Sequence, residues 1–217
     1  MIFSTRFLLS CLLAAVCVLL FAATPTRAMT RLDAAGVSKA LRYGMSQSGM
    51  GLMSLLGGNW LEAADGTLLN IYTPYMLLAA KAARGGYPNN PGEDDVRHAR
   101  KRYAGLISSI QSVRDPVTVK FSVALTGESA GFASGLKARI EGAGRGRAFQ
   151  LRPTRQIQQK TAVAVPNVKI RPFEAINAYY FSFEDLMNMD EFRLILEDPR
   201  APQSEPIVFR VRTDRIE

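Results

Sequence analysis

Residues 117–125 read Val-Thr-Val-Lys-Phe-Ser-Val-Ala-Leu. In an extended chain successive side chains point to opposite faces, so Val117, Val119, Phe121, Val123 and Leu125 share one face while Thr118, Lys120, Ser122 and Ala124 share the other. A period of two is the pattern of a half-buried strand. Pro116 precedes the run and Thr126-Gly127 ends it. Such a strand needs neighbours for its backbone and a second layer over its apolar side, which predicts an antiparallel sheet domain over residues 116–217.

The rest of that segment agrees in style. Short runs at 135–141, 148–152, 161–165, 178–183, 192–196 and 207–212 are separated by turn residues. This spacing suits a β-sandwich, Ig-like, or a small barrel of about six to eight strands. Residues 191–197 and 207–212 alternate well and are joined through Asp198-Pro199 and Glu205-Pro206, which predicts a closing hairpin. Residues 185–191 leave room for one helical turn between strands.

Upstream the period changes. After Asp33, an N-cap residue, Val37, Leu41, Met45, Leu52 and Leu56 recur at helical spacing, with a break expected near residues 48–51 where glycines accumulate. Gly36, Ala40, Gly44 and Ser48 form a small-residue stripe that suits close helix packing within the domain, or contact with another subunit or a membrane. Residues 59–72 read as a hairpin turning at Asp65-Gly66. Thr73-Pro74 begin a helix that Gly85-Gly86 stop. Glu93, Asp94 and Asp95 precede Arg97, Arg100, Lys101 and Arg102, the order that complements a helix dipole. The expected class is therefore α+β: a mainly helical region over residues 29–115 with one short hairpin, followed by the sheet domain.

The first 28 residues stand apart. Arg6 is followed by an uncharged run over residues 7–23, then by Pro25 and Ala28, which resembles a secretory signal cut after Ala28. Two alternatives stay open: the run is retained as a membrane anchor, or translation starts at Met29 and the protein is cytosolic. Export predicts a periplasmic or extracellular protein. Both cysteines, Cys11 and Cys17, would leave with the leader, excluding a disulfide framework, a thiol nucleophile and cysteine zinc sites. Loss of Arg6 and Arg27 lowers the formal net charge from +8 to +6. Between residues 137 and 171 nine cations face Glu141 alone.

Chemistry-bearing patterns are sparse. His98, the one histidine, follows Asp94 and Asp95 at helical spacing, but one imidazole and two carboxylates at a helix start read as a solvated, dipole-complementing turn. The glycine-rich stretch 142–147 precedes a strand rather than a helix and lacks a Gly-Lys-Ser/Thr, so it reads as a hairpin tip rather than a phosphate loop. Carboxylate pairs Glu62/Asp65, Glu184/Asp185 and Asp190/Glu191 are candidates for hydrolysis of an envelope polymer, although sequence neighbours rarely face each other across a cleft. No catalytic residue, metal ligand or cofactor site is assigned. The binding residues expected are Arg145, Arg147, Arg152 and Arg155. In an exported protein their partner would be an anionic envelope component or the acidic face of another envelope protein, with peripheral membrane association, and not nucleic acid. A structural subunit of an envelope assembly, associating through the small-residue stripe or free strand edges, is the remaining alternative.

Overall fold

The computed structural model describes residues 32–51, 55, 61–64, 66–112, 117–144 and 147–213. The expected leader, with its cleavage point after Ala28, lies outside the described residues, as do Leu52, Leu56, Asp65 and Arg145. Among the described residues no helix is long and apolar enough to cross a membrane.

Helix α1 (Ala34–Ser46) starts where Asp33 caps it, its carboxylate accepting from Gly36 N at 2.7 Å. The hairpin β1 (Leu61–Ala64) and β2 (Thr67–Tyr72) turns through Gly66 at φ 73°, a left-handed backbone that glycine adopts without strain. Helix α2 (Pro74–Ala83) opens on Thr73, whose hydroxyl accepts from Met76 N. It packs on α1 through Gly44: a Cβ there would stand 2.1 Å from the Ala79 carbonyl oxygen. The small-residue stripe thus serves contact within the chain at that position. Helices α3 (Glu93–Arg102) and α4 (Ala104–Gln111) follow almost without interruption, separated at Tyr103.

Strand β3 (Thr118–Gly127) is the alternating run, beginning one residue later and ending two residues further on than expected. Val119, Phe121, Val123 and Leu125 are all buried. A 3-10 turn (Phe132–Gly135) leads into β4 (Lys137–Gly144), then β5 (Arg147–Leu151), β6 (Arg155–Ile157), β7 (Val163–Ala164), β8 (Phe173–Ser182), the single turn α5 (Phe183–Leu186), β9 (Glu191–Glu197) and β10 (Ile207–Arg212).

These strands form two antiparallel sheets. The first runs β1-β2-β3-β8-β6, with β7 also on β8, and the second runs β10-β9-β4-β5. The predicted closing hairpin is present, pairing Ile207 with Leu196 through Arg212 with Glu191. The hairpin that precedes α2 joins the first sheet, with Ile71 opposite Phe121 and Leu69 opposite Val123. Helices and two antiparallel sheets make the molecule a mixed α+β protein. The sheets meet where Phe121 of β3 meets Phe192 of β9 edge-on, centroids 5.8 Å apart, and Phe121 meets Phe181 of β8 likewise at 5.4 Å. Burying each such ring contributes about 1.5–3 kcal/mol, so this aromatic cluster is a main source of the core's cohesion.

Candidate anion-binding groove

The chain passes from one sheet to the other just after β5. Pro153, with no N–H to donate, follows the last β5 residues, and Thr154 N then bonds to the Tyr180 carbonyl oxygen at 2.8 Å, bringing Arg155 into register with Tyr180 on the first sheet. At this crossover lies a groove of about 690 Å³, lined by Lys137, Arg139 and Glu197 from β4 and β9 and by Gln150, Arg152, Thr154 and Arg155 from the crossing segment. Lys137 and Arg139 share a face because they are two apart on one strand.

The cations of the groove differ in what they are committed to. Arg139 Nε donates to Glu141 at 2.8 Å and its guanidinium also pairs with Glu197. Arg193 adds a second bond to Glu141 at 2.9 Å. The Arg139 hydrogen bond holds the Glu141 carboxyl below the usual carboxylate range, and the two carboxylates push the Arg139 guanidinium up. Among the described residues no such ion pair engages Lys137, Arg152 or Arg155, all exposed. The groove therefore presents three cations without a carboxylate partner among the described residues, on a wall braced by a fixed salt-bridge network.

Of the four arginines expected to bind, the structure brings Arg152 and Arg155 together in this groove. Arg147 starts β5 at its other end, opposite Gly144, roughly 17 Å of extended chain from Arg152. Arg145 lies outside the described residues. Lys137 and Arg139 belong to the groove although the sequence ranked them only as part of a basic segment.

A second feature was not foreseen at all. On the outward face of the first sheet Tyr72, Lys120, Tyr180 and Arg155 lie in one row across β2, β3, β8 and β6. Lys120 Nζ stands 5.1 Å from the Tyr72 ring centre and the Arg155 guanidinium 5.4 Å from that of Tyr180, distances at which cations are drawn to aromatic faces. Tyr180 comes to Arg155 through a pairing that spans 25 residues and leaves no local signal.

The other nominated residues are occupied elsewhere. His98 is exposed and meets the Tyr87 ring edge-on at 5.9 Å; Asp94 pairs with Arg97 and Asp95 accepts from Gly92 N. Among the described residues no group of three or more His, Cys, Asp or Glu gathers as a metal site. Glu191 lines a groove of about 670 Å³ on the outward face of the second sheet, and the carboxylate sharing it is Glu141. A carboxyl held ionised by two arginines is the reverse of what a general acid requires. Of the glycine-rich stretch, Gly142, Ala143 and Gly144 belong to β4 and pair with Phe149, Ala148 and Arg147 of β5. Comparison with family models, with curated proteins and with solved structures finds no match for this chain.

Proposed function

We propose that this is an exported, non-catalytic envelope protein whose groove between β5 and β6 binds an anionic envelope component or the acidic face of another envelope protein. The observation that carries the reading is the convergence of Lys137, Arg152 and Arg155 on one groove, beside an arginine network whose own charges are already compensated. The uncharged run of residues 7–23 with Ala28 after it supports export. We further propose that the two sheets stack as a β-sandwich, a reading supported by the edge-on contact of Phe121 with Phe192.

Binding of this kind is electrostatic and weakens as salt screens it. With dextran sulfate as a probe polyanion, affinity is expected to fall steeply with added sodium chloride. Arg152→Glu with Arg155→Glu should lower it at least tenfold at low salt, whereas Arg147→Glu, at the far end of β5, should change it much less. Salt-insensitive binding, or equal effects of the two reversals, refutes this assignment of the site.

A further inference from the structure

The described residues with large apolar side chains exposed to solvent are few, and most cluster in one region. Ile170 is 81% exposed, Val163 63% and Ile176 61%, and Ile157 and Val168 are exposed too; Met50 alone lies elsewhere. Strand register makes three of these a single surface. Ile157 stands opposite Ala178, Val163 opposite Glu174, and Ile176 lies between them on the same outward face of β8, with Ala124 beside it on β3. The loop from β7 to β8, closed by Val165 N bonding to the Pro172 carbonyl oxygen at 2.7 Å, carries Val168 and Ile170 on either side of Lys169.

We infer that this face, β6-β7-β8 with the loop at residues 165–172, docks on an anionic lipid bilayer: Val168 and Ile170 enter the headgroup layer while Arg155, Lys160 and Lys169 meet lipid phosphates. The inference rests on the anion-binding reading above and names its ligand class. Cations alone would satisfy a soluble polyanion; exposed isoleucine and valine leave water only against an apolar partner. Their combination with basic residues is the composition of a membrane-surface element. No acid occurs between Glu141 and Glu174 in the sequence, so the loop and both flanks are uniformly basic. Glu174 is the acid on the outward face of β8, at the end of the patch. A second copy packing this face on itself would set Arg155, Lys160 and Lys169 against their own like charges. Strands β6 and β7, three and two residues long, give an added strand little edge to pair with.

The test is flotation of the full chain, as purified from cells, with vesicles of phosphatidylglycerol and phosphatidylethanolamine or of phosphatidylcholine alone, run beside dextran sulfate binding. The wild-type chain is expected to partition at least tenfold more strongly onto the phosphatidylglycerol vesicles. Val168→Ser with Ile170→Ser, both on the surface and checked by thermal melting, should lose that partition at least tenfold and keep its dextran sulfate affinity. Equal flotation with both lipids, or a double serine variant that floats like wild type, overturns the membrane inference and leaves the polyanion reading standing. If Arg152→Glu with Arg155→Glu retains dextran sulfate binding, the polyanion reading itself falls.

Discussion

Asn177 sits on β8 with no solvent exposure, at an odd-numbered position whose neighbours on that face are Ala175 and Tyr179. Its amide is spent completely within the protein: Oδ1 accepts from Gln159 N at 3.0 Å, and Nδ2 donates to the Ala133 carbonyl oxygen at 2.9 Å and to the Tyr179 hydroxyl at 3.2 Å. One side chain thereby ties the 3-10 turn, the connection after β6 and the central strand together. Asn177→Ala leaves the buried Ala133 carbonyl and the half-buried Gln159 N–H without these bonds, a loss of about 1–3 kcal/mol. Urea unfolding should show a lower midpoint with an unchanged slope. This residue also explains a misplaced boundary. A polar amide three residues after Glu174 reads as loop, so the run there is expected to begin at residue 178, whereas the strand starts at Phe173. Where a polar group is satisfied by distant backbone, local composition carries the wrong sign.

Glycine is the corresponding case among elements. Gly142 and Gly144 lie within β4 rather than at the hairpin tip, and they are needed because the segment between α5 and β9 lies directly on the strand. A Cβ at Gly144 would fall 1.8 Å from the Asn188 carbonyl oxygen. Gly144→Ala should therefore destabilise by about 1–3 kcal/mol through forced backbone movement, read as a lower melting temperature. Gly131→Ala, where a Cβ meets nothing within 4 Å, serves as the control. Caps and alternation were readable because their causes are local: Asp33, Thr73, the helix stop near Gly85-Gly86, β3, and the β9-β10 hairpin all stand where spacing placed them. β6, three residues long and exposed at each position, has no such pattern, since its place is set by β8.

For the whole molecule the ion pairs set the response to pH. Glu141 is held below the usual carboxylate range chiefly by its bond from Arg139, and Asp198 likewise by Arg200. A carboxyl with a depressed pKa in the fold binds fewer protons there than in the unfolded chain, so its stabilisation is complete above the ordinary value, about 4, and is lost as pH falls through the folded one. Thermal melts followed by circular dichroism should be nearly flat from about pH 7 to 5 and decline below about 4; Glu141→Gln should make that acid-side decline shallower. The groove became visible only at this scale, because β3 pairs with β8 and β4 with β9. Those two pairings cross along the chain: β4 leaves the ribosome before β8, and β9 after it. Neither sheet can have its middle strands joined by folding up consecutive neighbours, so the polypeptide stays open until residues near 197 are available. Folding dominated by such non-local pairings is slow, on the order of milliseconds to seconds. The seam that holds Arg152 and Arg155 is thus assembled late, because one of its sides waits for β8 and the other for β9.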